Sequence, residues 1–204
     1  MIPALNEAAS IAAVVSNASA YGVPIVTDDG STDKTGEVAM AAGATVVRHD
    51  VNRGYDQALN SGFARAHEMG CQFVVTMDAD GQHDSTIVAS FLTALEQGAD
   101  VVVGVRDRRQ RIAEHVFAWV ASRKWGINDP LCGMKGYRMR VYEELGHFDS
   151  YNSIGTELAI YAAKKGMKIG QVPVKTRDRV GAPRFGTRIS ANRRIFAALR
   201  RALA

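Results

Sequence analysis

Apolar residues recur along this chain with two periods. The short runs Ile25-Val26-Thr27, Thr45-Val46-Val47, Phe73 to Met77 and Val101 to Val105 are rich in β-branched residues and almost continuously apolar, as strands covered on both faces are. Between them lie stretches of helical length and patterning: Ile11 to Ala20, Lys34 to Ala42, Tyr55 to Met69 and Ser85 to Gln97. This alternation predicts an α/β fold, a mostly parallel, Rossmann-like doubly wound sheet flanked by helices. Beyond Arg106 the alternation breaks into a charged segment, Asp107 to Glu114, an apolar helix around Val116 to Trp125, a Gly-rich loop at Asp129 to Gly136 and a helix over Thr156 to Lys165. No repeat or Pro/Gly/Ser linker interrupts the chain. The expected organisation is one domain over residues 1–188, its first half (1–105) a ligand-binding sheet and its second (106–188) a cap, with a helix at 189–204. Only Met1 and Ile2 precede the turn expected at Pro3, so the opening strand is expected to be truncated.

Length and composition add bounds. With 204 residues, 47% apolar and 23% charged, the chain can bury a core without metal or disulfide staples. Its longest apolar run, Val38 to Ala44, is far below the ~18 residues that span a bilayer. No signal-peptide pattern opens it, and Cys71 and Cys132 are too few and too far apart for a disulfide framework or zinc site, so the cytoplasm is the expected compartment. The net charge of +4 conceals a division: Lys175 to Ala204 carries nine Lys or Arg against one acid, a net +8, and the preceding 174 residues carry 16 basic against 20 acidic side chains.

In open α/β sheets ligands bind outside the carboxyl ends of the strands. Here those positions are acidic. Ile25-Val26-Thr27 runs into Asp28-Asp29-Gly30-Ser31-Thr32-Asp33, and Phe73 to Met77 runs into Asp78-Ala79-Asp80-Gly81-Gln82-His83. The first cluster also reads as a turn with a helix cap. The second gathers two carboxylates and an amide, the hard oxygen donors that Mg²⁺ or Mn²⁺ prefers, and such an ion could bridge two phosphates of a nucleotide. No G-x-G-x-x-G follows a strand and no P-loop sequence occurs, which leaves phosphates to metal and arginine.

Taken in order, these segments resemble family 2 glycosyltransferases of the GT-A fold, above all dolichol-phosphate-mannose synthases and related polyprenyl-phosphate glycosyltransferases. The resemblance runs through Pro3-Ala4-Leu5-Asn6-Glu7, Asp28 to Asp33, Asn52-Arg53-Gly54 with Ala58 and Gly62, Asp78 to His83, Gly104-Val105-Arg106, Asp129 to Arg138, and Val172-Pro173-Val174 followed by Asp178-Arg179. It implies a metal-dependent, inverting transfer of a sugar from a nucleoside diphosphate sugar. Pro3, Leu5, Asn6, Glu7, Asp28, Asp29, Gly30, Ser31, Gly54 and Asp78 would form the donor site, with Asp29 accepting from a base N–H. Asp78, Asp80 and Gln82 would hold Mg²⁺ or Mn²⁺. Arg106 and Arg179 would face the phosphate of a lipid acceptor, and Glu157 matches an acid on the acceptor side; Asp80, Arg106, Glu157 and Arg179 form the implied catalytic set.

The acceptor decides what else the chemistry needs. A sugar hydroxyl must lose its proton to a carboxylate base, for which Glu157 and then Asp129 are candidates; a lipid phosphate is already an anion and needs arginines to place it. Composition tilts toward polyprenyl phosphate, with a glycan hydroxyl and a catalytically inactive binding or scaffold module as the alternatives. The stretch Asp107 to Val120 lacks the Arg-x-x-x-Ser of the synthases, and Pro183-Arg184 replaces their Ser-Lys, both on the acceptor side. On a helix, Ile195, Phe196, Leu199 and Leu203 form an apolar stripe beside Arg193, Arg194, Arg200 and Arg201. That helix either packs on the domain or lies on an anionic membrane, which would make the protein peripheral on the inner face of the cell membrane. No aromatic platform accompanies the arginines, and nucleic acid is not expected as a partner. His49, His67, His115 and His147 are read as isolated surface or capping residues, and His83 as within reach of the sugar or metal.

Overall fold

The computed structural model describes residues 1–81, 86–175 and 188–204, the side chains of 188 and 189 excepted. Gln82, His83, Arg179 and Arg184, named above, lie outside the described residues. The elements follow in the order β1 (Ile2–Ala4), α1 (Ile11–Ala18), β2 (Ile25–Asp28), α2 (Thr35–Ala41), β3 (Thr45–Arg48), α3 (Tyr55–Glu68), β4 (Phe73–Thr76), α4 (Ile87–Glu96), β5 (Val101–Arg106), α5 (Ile112–Trp125), β6 (Lys135–Arg138), α6 (Met139–Leu145), α7 (Glu157–Lys164), β7 (Ile169–Val174) and α8 (Arg188–Leu203).

Strands β1, β2 and β3 pair in parallel, with Val26 opposite both Ile2 and Val46. Strand β6 lies antiparallel between β4 and β5, and β7 adds in parallel to β5. Met1 joins the two groups: its nitrogen donates to Val75 O at 2.8 Å and its carbonyl accepts from Met77 N at 3.1 Å, the exchange made by a parallel pair. The lateral order is therefore β3-β2-β1-β4-β6-β5-β7, with β6 alone reversed among the described strands. Strand order turns back between β1 and β4, the point at which a crevice opens at the carboxyl edge. The opening strand is short, as expected, yet it runs through Pro3 rather than stopping before it. Within α3, Gly62 passes directly beneath the Met1 side chain, where a Cβ would have no room.

Successive strand residues face opposite sides, as the pleat requires. Val101 and Val103 enter one apolar cluster, with α3 and α5 to α8, and Val102 enters the other, with α1, α2 and α4. The helix around Val116 begins earlier than the sequence pattern indicates, at Ile112.

Strand β6 corrects the reading of Asp129 to Gly136 as a loop. A lysine and a glycine obscured it, because neither marks a buried strand. Lys135 is nonetheless 3% exposed, its ammonium donating to Cys132 O at 2.6 Å. Gly136 packs against α4, where a Cβ would stand 3.1 Å from Leu95 Cδ1. Helix α8 buries Ala191, Ile195, Ala198, Leu199 and Ala202, while Phe196 and Leu203 stay 44% and 42% exposed. The buried seam is thus set by alanines, which let α8 approach α5 closely, and only Ile195 and Leu199 of the expected stripe belong to it.

Candidate active site

Two loops at the β1/β2 edge are stitched together before any ligand arrives. Asn6, at φ 52°, donates its N–H to Ser31 Oγ at 2.9 Å and accepts from Thr32 N on Oδ1 at 2.9 Å. Glu7 N donates to Thr35 Oγ1 at 2.7 Å, and Asp29 N to Ala4 O at 2.9 Å. Ser10 Oγ reaches across the crevice, donating to Ala79 O at 2.8 Å, with Glu7 Oε2 at 3.1 Å as an alternative acceptor. The Pro3 to Glu7 segment, the Asp28 to Ser31 turn and the Asp78 to Asp80 loop therefore share one rim.

The two aspartates at the carboxyl end of β2, Asp28 within the strand and Asp29 just after it, have different duties. Asp28, fully buried, accepts from Ser31 N at 3.0 Å and has Arg48 Nη1 at 3.7 Å; its Oδ2 would meet a Cβ on Gly36 at 2.6 Å. Asp29 accepts from His49 Nδ1 at 2.7 Å, Arg53 N at 2.9 Å and Gly54 N at 2.8 Å. Those bonds fix the turn into α3, where Gly54 sits at φ 93°, and they leave about one of the four acceptor positions of the carboxylate for a ligand. His49 is thus not an isolated surface residue: it is 5% exposed and bridges Asp29 to Ser61 Oγ. Gly30, at φ 72°, brings its backbone so close to Val51 that a Cβ would stand 2.5 Å from the Val51 carbonyl carbon.

Asp78 and Asp80 follow β4, both half-buried. Behind Asp78 the β6 approach is made by Gly133, whose Cβ would come within 2.5 Å of Oδ2 and 2.8 Å of Oδ1. Thr76 Oγ1 donates to Gly133 O at 2.7 Å and so holds that backbone in place. Among the described residues no group of three or more His, Cys, Asp or Glu is placed to hold a metal ion. The donor chemistry nevertheless fits a hard divalent ion: two carboxylates on one loop supply part of an oxygen shell that diphosphate and water complete.

Two groups near Asp78 were not anticipated. Burial, and then the charges of Asp78 and Asp56, push the Tyr55 phenol well above its ordinary value. The buried Lys135 ammonium is pushed down by desolvation, against the opposing influence of Asp129 and Asp78. Neither has a sequence signal, since a helix-start tyrosine and a lysine in a Gly-rich stretch are unremarkable until the sheet brings them together.

The second half holds its charges in pairs. Arg106 Nε and Nη2 donate to Asp129 Oδ2 and Oδ1 at 2.8 and 2.9 Å, and Glu114 Oε2 lies 3.6 Å from Nη2. Desolvation opposes the guanidinium charge, but Asp129 outweighs it and holds Arg106 above its ordinary value. Glu157 opens α7 with its carboxylate already engaged: Ser150 N donates at 2.6 Å, Ser150 Oγ at 2.8 Å and His147 Nε2 at 3.0 Å. His147 is therefore a partner of Glu157 rather than an isolated residue. The loop that presents Glu157 is strained, with Asn152, Ile154 and Gly155 all at φ between 56° and 66°. A β-branched residue in that region is an outlier that surrounding structure must enforce. Asp149 does so by accepting from Asn152 N at 2.7 Å and Ser153 N at 2.8 Å, and Asp56 by accepting from Gly155 N at 2.6 Å. Burial and the nearby Asp149 push Asp56 up to about 6.

The sequence profile described as "Glycosyl transferase family 2" matches residues 1–146. The chain belongs to glycosyl transferase family 2. Among its relatives is a dolichyl-phosphate hexose transferase of Haloferax volcanii, 30% identical over 167 residues that cover 77% of this chain and 71% of that one. A UDP-N-acetylglucosamine–dolichyl-phosphate N-acetylglucosaminyltransferase of Methanococcus voltae is 25% identical over 231 residues, 96% of this chain and 92% of that one. Glucosyl-3-phosphoglycerate synthase of Mycobacterium tuberculosis, solved with Mn²⁺ and UDP-glucose, superposes with a TM-score of 0.78 at 25% identity, over 98% of this chain and 77% of that one. The glycosyltransferase thus has the GT-A fold that the resemblance implied.

Proposed function

We propose that this glycosyltransferase moves a sugar from a nucleoside diphosphate sugar to a polyprenyl phosphate, with inversion and with Mg²⁺ or Mn²⁺. The proposed donor side is residues 1–105, where Pro3, Leu5, Glu7 and Asp29 line the nucleoside pocket and Asp78 and Asp80 hold the ion, joined by Gln82. An ion held there supplies charge neutralisation for the departing diphosphate. Ser10, Thr76 and Gly133 keep the loops in position while the diphosphate leaves, so little reorganisation accompanies the transfer.

The observation that carries the acceptor is the condition of the two carboxylates on the other side. Asp129 is chelated by Arg106, and both Glu157 oxygens already accept hydrogen bonds. A hydroxyl acceptor needs a carboxylate base aimed at its proton, whereas a phosphate arrives as an anion. The two dolichyl-phosphate transferases among the relatives support the same choice. In this reading Arg106 acts with Arg179 to place the lipid phosphate, and residues 106–188 form the acceptor half of a single domain.

Two measurements test it. A thermal-shift series with UDP and GDP, with and without Mn²⁺, should show stabilisation that depends on the metal; no response to any diphosphate favours a scaffold. With radiolabelled donor and polyprenyl phosphate, label should enter the organic phase. Label found only on a soluble glycan would overturn the acceptor assignment and leave the donor assignment standing.

A further inference from the structure

Helix α5 shows large apolar side chains on its outer face. Ile112 is 75% exposed, Val116 37% and Trp119 60%, at positions i, i+4 and i+7 of one helical face. The opposite face, with Ala113, Phe117, Ala118 and Ala121, is buried in the body. Among the described residues, the other large apolar side chains exposed outside α8, namely Val23, Met40, Val51 and Met69, are scattered on or beside different elements, as surface residues ordinarily are. A continuous stripe on a helix whose inner face is already packed has no intramolecular purpose among the described residues.

The charges around the stripe say what it meets. From Arg108 to Lys124 there are five Lys or Arg against one acid, Glu114. That acid is 4% exposed and points inward, 2.8 Å from Arg111 and 3.6 Å from Arg106. The outward surface is therefore apolar along its ridge and positive at its ends. Arg123 lies over the Trp119 ring at 4.7 Å, an indole and guanidinium pair of the kind that suits a boundary between hydrocarbon and headgroups. Helix α8, packed beside α5, adds exposed Arg193 and Arg200.

We propose that the outer face of α5, with Ile112, Val116 and Trp119 as the inserted ridge and Arg108, Arg123 and Lys124 as its phosphate contacts, docks the protein on an anionic bilayer surface. This assigns the contact to a helix in the middle of the chain, with α8 as a basic flank rather than the anchor. It is argued from α5 alone and does not rest on the acceptor proposed above.

The test uses the full chain and vesicles of phosphatidylcholine, with or without 30% phosphatidylglycerol. The protein should float with the anionic vesicles, release at ~1 M salt, where the Debye length is about 3 Å, and show a blue shift of tryptophan emission quenched by brominated lipid. Ile112→Ser with Trp119→Ser should lower the partition coefficient at least tenfold while leaving the thermal midpoint and the Mn²⁺-dependent response to nucleoside diphosphate unchanged. Phe196→Ser with Leu203→Ser, on α8, should lower it less than threefold. The proposal is overturned if the wild-type protein does not float, if the α5 variant floats as well as wild type, or if the α8 variant alone abolishes flotation. It is equally overturned if wild type sediments as a dimer that the α5 variant dissolves, without vesicle binding, since the face then belongs to a second copy of the chain. None of these outcomes touches the transferase reading, which stands or falls on the diphosphate response.

Discussion

Replacing Gly133 by alanine would disturb the proposed metal ligand Asp78 without touching it chemically. The new Cβ would stand 2.5 Å from Asp78 Oδ2, 2.8 Å from Oδ1 and 2.9 Å from Cγ, where ordinary contact begins near 3.4 Å. The carboxylate must therefore withdraw by about 0.9 Å, because the Gly133 backbone is held by Thr76 Oγ1. Gly133 is not among the residues with positive φ, so alanine meets no backbone penalty there. A misplacement of about 1 Å in a reacting geometry costs on the order of 10²-fold in rate, about 2.7 kcal/mol. Gly133→Ala should accordingly lower kcat/KM for the sugar nucleotide about a hundredfold and raise the Mn²⁺ concentration needed for half-maximal activity. Gly22→Ala is the control, since a Cβ there meets nothing within 4 Å. Both proteins are compared by donor turnover across a Mn²⁺ titration, with thermal unfolding to confirm that each remains folded at the assay temperature. If Gly133→Ala stays within threefold of wild type with an unchanged Mn²⁺ midpoint, Asp78 does not hold the metal and the reasoning fails.

Three further outcomes follow from the pairs already described. Asp56 titrates near 6 in the fold against 3.8 ordinarily, so the unfolded chain loses its proton first and stability falls as pH rises from about 4 to 6, by about 3 kcal/mol at most; Asp56→Asn should flatten that slope in denaturant titrations, and an unchanged slope would reject the assignment. Asp129→Asn leaves the Arg106 guanidinium largely buried with Glu114 as its remaining anionic partner and should cost about 3 kcal/mol of unfolding free energy, read by urea denaturation. Glu157→Gln should change turnover on polyprenyl phosphate by less than tenfold, whereas a fall of 10³-fold or more would make Glu157 a general base and restore a hydroxyl acceptor.

The donor loops could be read from the sequence because their chemistry is local. Asp28-Asp29-Gly30-Ser31 and Asp78-Ala79-Asp80 each follow an apolar run, and the position after a parallel strand is defined by that run alone. The acceptor half was harder to read for the opposite reason. Lys135-Gly136 forms a buried strand only because β4 and β5 supply its ladder on both sides, and Gly136 fits only because Phe91 and Leu95 stand over it. His49 and His147 looked isolated because their partners, Asp29 and Glu157, are 20 and 10 residues away.

Hydrophobic period and turn chemistry specified the α/β class, most strands and helices, and the two acidic edges, since these depend on neighbours within a few residues. Which of those edges share a crevice, which carboxylates are left to bind and which are tied up in pairs, and which face of α5 and α8 is buried depended on contacts between distant segments. Such contacts follow from lateral strand order and helix packing, and a one-dimensional pattern carries neither. The +8 end of the chain shows the division plainly: its charge can be counted in the sequence, but only the packing of alanines on α8 against the body shows that Ile195 and Leu199 of its apolar stripe are covered while Phe196 and Leu203 stay exposed.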